Sequence, residues 1–287
     1  MILLLDKPEN ITSFSAVARA RRILGIKKAG HTGTLDPMAT GVLPILLGGA
    51  TRFSEFLPSH DKAYLAGIQW GVTTDTLDIT GTILREQPVH ITQEEIEAAL
   101  EPFRGKIMQI PPMYSAKSQG GQRLYELARR GVEVEREARA VEIYRLELMQ
   151  CTMHNAQCTI EVECSAGTYI RSLIDDLGRA LGCGACMCSL RRTKANGYDI
   201  AQCVTLEALE QGETRGFVAL DDALSAYPAL EVTPAQAVRF RNGGALDLAR
   251  LRDLGEGELH RVYSENTFLG LGRVQGQELA VARLLVE

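Results

Sequence analysis

The sequence predicts an α+β protein in which a mixed, largely antiparallel sheet with flanking helices is followed by a small C-terminal β-barrel-like domain. Apolar residues alternate with acidic ones through residues 160–164, which is typical of a strand with one buried face. A run from Thr168 to Gly182 repeats its apolar residues at helical spacing. Strand-like and helical segments follow each other irregularly, which favours α+β over a regular βαβ repeat.

The first predicted elements are a strand and a helix. Residues 1–5 are apolar and are followed at once by Asp6-Lys7-Pro8, which favours a buried strand over a signal peptide or a membrane span. Ser13 is the predicted N-cap of a helix that ends at Gly25. The apolar positions on one side of this helix are Val17, Ala20 and Leu24.

The centre of the chain is predicted to form further strands and one capped helix. We expect strands at residues 64–70 and 79–84, because turn-forming residues separate two runs of β-forming side chains. A helix begins at Thr92, where Glu95 completes a capping box. Another strand is predicted around residues 141–143.

The C-terminal part divides at the Tyr227-Pro228 step. Residues 205–227 are predicted to be helical and are acidic. We therefore expect a main domain at residues 1–228 and a small domain at residues 229–287. One helix around residues 235–241, followed by short strands punctuated by glycine, fits a small β-barrel-like domain.

Charge and cysteine content limit the classes of function. The net charge of −5 argues against general nucleic-acid binding, because phosphate contacts need a local excess of Lys and Arg. Residues 19–28 nevertheless hold five basic side chains and no acid, so this stretch is either a basic stripe for an anionic partner or a solvated helix face. Seven cysteines in a chain without an export signal favour a reducing cytoplasm and no disulfide framework.

A loop rich in Gly, Thr and Pro begins at Gly30 and reads Gly-His-Thr-Gly-Thr-Leu-Asp-Pro. It lacks the Lys-Ser or Lys-Thr pair of a phosphate-binding P-loop, which argues against an NTPase. Pro37 disfavours helical geometry at Asp36, so the loop presents one carboxylate on a turn. That carboxylate is either a catalytic group or the side chain of an Asx turn without chemistry.

Segment 30–44, with its His-Thr-Gly-Thr-Leu-Asp-Pro core, resembles the catalytic signature of the TruB family of tRNA pseudouridine synthases. Five further segments resemble motifs of the same family and occur in the same order as in that family. They are Leu4-Leu5-Asp6-Lys7-Pro8, Lys62-Ala63-Tyr64 with Thr74-Asp75-Thr76-Leu77-Asp78, Pro112-Met113-Tyr114-Ser115-Ala116, Gly167-Thr168-Tyr169-Ile170-Arg171 and Leu190-Arg191-Arg192-Thr193. Together with segment 30–44, the sequence therefore contains six matching segments, where the two parts of the second motif count as one.

The resemblance implies the isomerisation of uridine 55 in the T-loop of tRNA. The implied steps are base flipping, C1′–N1 cleavage, rotation of the uracil and C1′–C5 bond formation. Asp36 is the implied catalytic carboxylate, and three roles stay open for it: attack on the sugar, attack on the base, or removal of a sugar proton. The implied enzyme is an intramolecular transferase that uses no cofactor and no metal.

Two further side chains are implied to be catalytic. Tyr64 matches the tyrosine that stacks on the target base and is a candidate for removing the C5 proton; the alternative is an aromatic residue of the core. Arg171 matches the arginine that pairs with the catalytic carboxylate; the alternative is a surface arginine. Pairing with Arg171 would keep Asp36 ionised and oriented.

Other residues are implied to bind the substrate. Leu190 would pack against the flipped uracil, and His31 would fill the gap that the base leaves in the T-loop. Lys7 would contact a phosphate, as would Arg191 and Arg192, unless these side chains are solvated charges. The remaining implied substrate-binding residues are Gly33, Thr34, Asp78 and Tyr169.

Two larger regions are expected to grip RNA. Segment 105–140 is interpreted as an RNA-gripping insertion that is mobile and closes over the T-loop. The C-terminal domain resembles the PUA-like RNA-binding module of the family, whose implied ligand is the acceptor end of tRNA. Cys183, Cys186 and Cys188 lack the second cysteine pair of a zinc site, so free thiols are expected there.

The expected partner is therefore tRNA, bound through its T-loop and elbow, and the protein is expected to be a cytoplasmic monomer with no membrane association and no obligatory protein partner. Two other hypotheses stay open. One is an RNA chaperone that refolds the tRNA elbow, alone or in addition to isomerisation. The other is a guide-RNA-dependent synthase of the box H/ACA type, which shares the catalytic motifs; the acidic composition and the short C-terminal domain favour the stand-alone enzyme.

Overall fold

The computed structural model describes residues 1–57, 59–115, 118–119, 121–132, 134–251, 255 and 257–286. Ala116 of the Pro-Met-Tyr-Ser-Ala motif lies outside the described residues, as do residues 117, 120 and 133 of the predicted insertion. Across the described ranges, no helix combines the length and the apolar character that crossing a membrane requires.

The secondary structure alternates strands with short helices along the chain. The strands before residue 229 are β1 (Ile2–Lys7), β2 (Ala29–His31), β3 (Thr40–Leu47), β4 (Lys62–Trp70), β5 (Val72–Thr74), β6 (Ile83–Glu86), β7 (Gly105–Gln109), β8 (Ser118–Gln119), β9 (Gln122–Arg123), β10 (Arg139–Thr152), β11 (Gln157–Cys164), β12 (Ala185–Ala195), β13 (Tyr198–Asp199) and β14 (Phe217–Val218). The later strands are β15 (Ala229–Glu231), β16 (Leu246–Asp247), β17 (Leu259–Ser264), β18 (Thr267–Gln275) and β19 (Glu278–Leu284). The α-helices are α1 (Ser13–Ile23), α2 (Gln93–Leu100), α3 (Leu124–Arg129), α4 (Ile170–Ala180), α5 (Leu206–Glu210), α6 (Leu220–Ala223) and α7 (Pro234–Arg241).

One large sheet runs through the main domain in the order β14-β1-β3-β12-β4-β11-β10-β7, with β2 paired to β3 and β13 paired to β12. All of these neighbours are antiparallel except β12 and β3, which pair in parallel at Arg191↔Thr40 and Arg192↔Gly41. A Cβ at Gly41 would lie 2.1 Å from the Arg192 carbonyl oxygen, so only glycine allows this close approach. The prediction of a mixed, largely antiparallel sheet is confirmed.

Helices cover the sheet because its strands present apolar side chains on both faces. In β1, Leu3 and Leu5 pack with α1 and α5, whereas Ile2 and Leu4 face the opposite way. Helix α4 carries its apolar residues onto β4, β11 and β12, as its helical spacing predicts. This packing fixes the first turn of α4 against the strands that carry the site.

The N-terminal end of α1 differs from the prediction. Thr12 is the N-cap and accepts a hydrogen bond from the Ser15 backbone N–H, while Ser13 is the first helical residue. The Ser13 hydroxyl is buried, accepts from the Leu35 N–H at 2.8 Å and donates to the Leu35 carbonyl at 3.1 Å. Ser13 therefore anchors the loop before Asp36 instead of capping the helix.

The predicted strand at residues 79–84 is also corrected. A short hairpin of β5 and β6 takes its place, and all four residues of β6 are exposed. Residues 75–81 form its turn because Leu77 adopts a positive φ of 63° and the Asp78 carboxylate accepts from the Thr80 N–H at 3.0 Å. By contrast, the predicted capping box of Thr92 and Glu95 is confirmed at α2.

The C-terminal residues form a five-stranded sheet in the order β15-β17-β18-β19-β16, with α7 beside it. Its own apolar cluster includes Phe240, Leu246 and Leu279. A second face turns towards the main sheet, where Leu271 packs in the same cluster as Ile2. The two parts of the chain therefore share this cluster, while the C-terminal sheet also has a cluster of its own.

One pair of cysteines forms a disulfide, although the sequence predicts no disulfide framework. Cys151 and Cys158 lie opposite each other on β10 and β11, with Cα atoms 4.1 Å apart, and form a disulfide. This pairing depends on strand register, which the cysteine spacing does not reveal. Cys183, Cys186 and Cys188 have free thiols, as predicted.

Candidate active site

The loop that carries Asp36 is held at both ends by the hairpin of β2 and β3. Within the loop, the Pro37 carbonyl accepts from the Asn10 N–H at 2.9 Å and from Lys7 Nζ at 3.2 Å. Leu35 is buried beneath the loop and fixed by Ser13. The backbone on both sides of Asp36 is therefore held in place, and the Asp36 side chain stays partly exposed.

Arg171, in the first turn of α4, pairs with Asp36 in a side-on geometry. Its Nε lies 2.9 Å from Asp36 Oδ2, and its Nη2 donates to Oδ1 at 3.1 Å. The Arg171 side chain is 6% exposed and the Asp36 side chain 30% exposed, so the arginine is the buried partner. Two parallel charge-assisted hydrogen bonds fix both the position and the plane of the carboxylate.

The rest of the Arg171 guanidinium is held by the hairpin turn and by residue 114. Nη1 donates to the Thr76 carbonyl at 3.0 Å, and Nη2 donates to the Tyr114 carbonyl at 2.8 Å. Asp78 Oδ2 lies 3.7 Å from Nη1, and Asp78 Oδ1 accepts from Thr80 Oγ1 at 2.5 Å. Arg171 is therefore shared between two carboxylates, of which Asp78 is buried.

The electrostatics of Asp36 reflect this arrangement. Burial raises the pKa of the Asp36 carboxyl above its ordinary value, and the Arg171 guanidinium opposes that rise. The Asp78 carboxylate raises the pKa of Asp36 further because a second negative charge nearby disfavours ionisation. Arg171 thus offsets two effects that would otherwise favour the neutral acid.

Tyr64 and Leu190 line the apolar side of the site. Both belong to the cluster that contains Leu35 and Ile170, the neighbours of Asp36 and Arg171 in the chain. Tyr64 lies on β4 and Leu190 on the adjacent β12. Burial raises the pKa of the Tyr64 hydroxyl to about 12. The structure thus brings the predicted residues Asp36, Tyr64, Arg171 and Leu190 into one region.

His31 ends β2 and is half-buried. Burial lowers the pKa of its imidazole, which favours the neutral ring. Among the described residues, nothing forms a hydrogen bond with its buried Nδ1. A neutral ring with an unused nitrogen is therefore available at one end of the Asp36 loop.

Gly33 and Thr34 take part through their backbone, since their carbonyl oxygens accept from the Arg192 guanidinium at 3.2 and 3.4 Å.

The environments of Lys7 and Arg192 differ from the predicted contacts with phosphates. Lys7 is 0% exposed, and its ammonium donates to the carbonyls of Pro8 and Ile11, both at 2.8 Å. Arg192 is 1% exposed, so neither cation can reach a phosphate here.

Sequence reasoning did not identify Gln109, which ends β7. Its side-chain amide donates to the Tyr169 carbonyl at 3.0 Å and accepts from the Tyr169 N–H at 2.8 Å. Ser172 Oγ donates to the Ile110 carbonyl at 3.0 Å, which adds a second link to α4. The available signal in the sequence was one polar residue between Met108 and Ile110, in an otherwise apolar run before the Pro-Pro-Met-Tyr segment.

No group of three or more metal-ligating side chains forms within the described residues. In the same part of the chain, Cys183 and Cys186 are buried free thiols and Cys188 is partly buried. Burial raises the pKa of the Cys186 thiol to about 11, which keeps it neutral at physiological pH. These three cysteines fit the role of small packing residues.

Comparison with known proteins identifies the family. The model of the TruB family pseudouridylate synthase (N terminal domain) matches residues 21–170, which is more than half of the chain. The chain belongs to the TruB family of pseudouridylate synthases. Two more models of this family, the tRNA pseudouridylate synthase B C-terminal domain and the pseudouridine synthase II TruB C-terminal domain, match residues 171–225 and 228–285.

The TruB relatives are similar over nearly their full length. The chain is 47% identical to the tRNA pseudouridine synthase B of Azoarcus sp. (strain BH72), covering 99% of this chain and 94% of that protein. It is 43% identical to the tRNA pseudouridine synthase B of Clostridium tetani (strain Massachusetts / E88), covering 98% and 97%. The predictions of the TruB family and of a pseudouridine-forming enzyme are confirmed.

The TruB fold is also similar to a solved structure of a Cbf5-Nop10-Gar1 complex. The TM-score is 0.72 at 25% identity, covering 99% of this chain and 84% of the matched chain. This likeness extends across both the main sheet and the C-terminal sheet, which agrees with the predicted α+β class.

Proposed function

We propose that this protein isomerises uridine 55 in the T-loop of tRNA to pseudouridine, with Asp36 as its catalytic carboxylate. The observation that supports this most strongly is the side-on pair of Asp36 with the buried Arg171. One oriented carboxylate beside Tyr64 and Leu190 suits a reaction at the sugar carbon of a base held in an apolar site. The tRNA pseudouridine synthase B relatives support tRNA as the substrate.

The proposed reaction begins with extrusion of the uridine from the T-loop, which costs a few kcal/mol of stacking. The uracil then lies between the Tyr64 ring and Leu190, while the His31 ring occupies the space that the base left. The neutral state favoured for His31 suits stacking within RNA, where no charge has to be desolvated. These three side chains account for binding a flipped pyrimidine.

Asp36 acts where the C1′–N1 bond breaks. Attack on the sugar, attack on the base and removal of a sugar proton all require an ionised carboxylate held at one position, and Arg171 supplies both conditions. Because the uracil is retained and rejoined through C5, the product has the composition of the substrate. The reaction therefore needs no redox cofactor and no second substrate.

Tyr64 is the proposed acceptor of the C5 proton after the C1′–C5 bond has formed. Its hydroxyl is buried beside the Asp36 loop, so a proton transfer there is shielded from bulk water. Tyr169, whose backbone is clamped by Gln109, and Asp78, which holds Arg171, position the two halves of the site. Gly33 and Thr34 shape the loop through their carbonyls.

The proposed RNA surface extends beyond the site. Segment 105–140 would grip the T-loop, and the PUA-like sheet at residues 229–287 would contact the acceptor end. The enzyme is proposed to act in the cytoplasm as a monomer without an obligatory protein partner. Chaperone activity on the tRNA elbow is proposed as an additional property of the same surface, because refolding and base extrusion both require that the T-loop be opened.

Tritium release from tRNA transcripts labelled at uridine C5 tests the function. Wild-type protein is expected to release tritium from the T-loop uridine without added metal or nucleotide, and Asp36→Asn is expected to release none while it still binds tRNA. A protein that binds tRNA but releases no tritium would instead support the chaperone or the guide-dependent synthase. Adding a guide RNA then separates these two, because it restores release only from a guide-dependent enzyme.

A further inference from the structure

Arg192 is an unusual residue of this site because its charge is buried. It lies on β12 and is 1% exposed. In the part of the chain that the structure describes, it forms no ion pair with a carboxylate. An isolated buried guanidinium carries a large desolvation cost, which is normally offset by an anionic partner.

The observed contacts of the guanidinium are neutral. Nε donates to the Val42 carbonyl at 2.7 Å, and the two terminal nitrogens reach the carbonyls of Gly33 and Thr34. The Tyr64 hydroxyl and the Cys203 thiol lie close enough to influence the pKa of the guanidinium, and Tyr64 has the larger influence. Arg192 and Tyr64 are direct cross-strand partners in the pairing of β12 with β4.

A phosphate is not the missing anion. The Arg192 side chain is enclosed beneath the Asp36 loop, and the Gly41 backbone packs directly against its carbonyl. RNA bound at the surface therefore cannot reach the guanidinium. Of the two nearby groups that can lose a proton, Tyr64 belongs to the cluster that contains Leu190, whereas Cys203 belongs to another cluster, so the phenolate of Tyr64 is the anion that the site can produce.

We propose that Arg192 is a positioning residue that holds the Tyr64 oxygen in place and stabilises its phenolate as the acceptor of the C5 proton. This inference rests on the proposed function. In the step concerned, the C5–H bond breaks and its electron pair forms the C5=C6 double bond. The N1=C6 pair moves to N1, which takes a proton from water, and the C5 proton passes to the Tyr64 oxygen.

The charged groups around Tyr64 determine how strongly Arg192 changes the population of the Tyr64 phenolate. Arg192 on β12 lowers the pKa of Tyr64, whereas burial, Cys164 on β11 and Asp36 in the loop raise it. Lys62, two residues earlier on β4, lies beside the same Arg192 and Cys164. Because burial dominates, the phenolate is scarce, and each unit by which Arg192 lowers the pKa increases its population about tenfold.

The test combines Arg192→Met and Arg192→Lys with Tyr64→Phe in a double-mutant cycle. The single-turnover rate of pseudouridine formation is measured on tRNA carrying hydrogen or deuterium at uridine C5, from acidic to basic pH. Lys194→Met is the matched control, because Lys194 is an exposed cation on the same strand that pairs with Glu163 at 3.7 Å. Circular dichroism and tRNA binding confirm that each variant folds.

Arg192→Met is expected to slow the reaction about tenfold or more and to increase the C5 deuterium isotope effect, because proton removal becomes slower. The rise of its rate with pH is expected to move to higher pH, since loss of the cation raises the pKa of Tyr64. Arg192→Lys retains a positive charge and is expected to show a smaller change. In the Tyr64→Phe background, loss of Arg192 is expected to have little further effect.

Additive losses in the cycle, or an unchanged isotope effect in both Arg192 variants, would overturn the inference and leave Arg192 as a structural residue. If Arg192→Met does not fold, Arg192→Lys decides through the isotope effect and the pH profile. Full activity of Tyr64→Phe, which lacks the hydroxyl, would also overturn the inference. The proposed function would survive that outcome as long as tritium release still depends on Asp36.

Discussion

The guanidinium of Arg171 meets the carboxylate of Asp36 side-on, with Nε 2.9 Å from Oδ2 and Nη2 3.1 Å from Oδ1. The two residues are 135 positions apart in the chain and come from a loop and from the first turn of α4. A cation in the first turn of a helix is not favoured by the helix dipole. The carboxylates of Asp36 and Asp78 compensate for the unfavourable interaction of Arg171 with the helix dipole. Because both lie far from Arg171 in the sequence, this arrangement exists only in the folded protein.

Arg171→Lys tests the value of the paired geometry. Lysine keeps the charge but cannot form two parallel hydrogen bonds, so the single-turnover rate of tritium release is expected to fall about 100-fold. Affinity for tRNA, measured by filter binding, is expected to change little. Arg145→Lys serves as the control because Arg145 is an exposed arginine on β10. A rate close to that of wild type would show that charge alone is sufficient.

Asp78→Asn is expected to move the acidic limb of the pH–rate profile to lower pH. The Asp78 carboxylate raises the pKa of Asp36, so removing its charge lowers that pKa and keeps Asp36 ionised in more acidic solution. Asp75→Asn is the control, since Asp75 lies on the same hairpin and its amide can still accept from the Thr82 N–H. A limb that stays in place or moves to higher pH would contradict the prediction.

Leu271→Ala is expected to destabilise the whole protein. Leu271 is fully buried in the cluster that also contains Ile2 and Phe53, so its truncation leaves a cavity between the two parts of the chain. The free energy of unfolding in urea is expected to fall by about 2–5 kcal/mol in one transition. The exposed Val238→Ala on α7 is expected to change it by less than about 0.5 kcal/mol. Two separate transitions would show that the C-terminal part unfolds alone.

Amide hydrogen exchange tests the proposed RNA-gripping insertion. Residues 121–132 are expected to exchange more slowly once tRNA is bound, because closure over the T-loop would protect their backbone. Residues 109–115 are expected to change less, since Gln109, Ile110 and Tyr114 already contact α4. Strand β11 provides an internal reference. Equal exchange with and without tRNA at residues 121–132 would remove this segment from the binding surface.

Sequence patterns predicted the features that depend on local order. The alternation in β11, the apolar face of α4 and the capping box at α2 follow from side-chain periodicity and local hydrogen bonds. The family motif identified Asp36 and Arg171 as partners, and their paired geometry agrees with that prediction. Each of these features requires only neighbours in the sequence or a motif of known spacing.

Features that depend on strand register could not be predicted in this way. Lys7 and Arg192 read as surface cations, because nothing near them in the sequence indicates that both lie under the Asp36 loop. The disulfide of Cys151 and Cys158 depends on which residues of β10 and β11 face each other. The role of Ser13 was missed for the same reason, since its partner Leu35 lies 22 positions away.

The shared core of the two sheets has a consequence for synthesis on the ribosome. Strand β1 is made early, yet the cluster that contains Ile2 on one of its faces is complete only when β18 arrives and adds Leu271. A nascent chain that already contains Asp36, Tyr64 and Arg171 therefore still exposes part of the apolar surface of this cluster. Arrival of β18 buries that surface, so full packing around β1 follows synthesis of the C-terminal sheet.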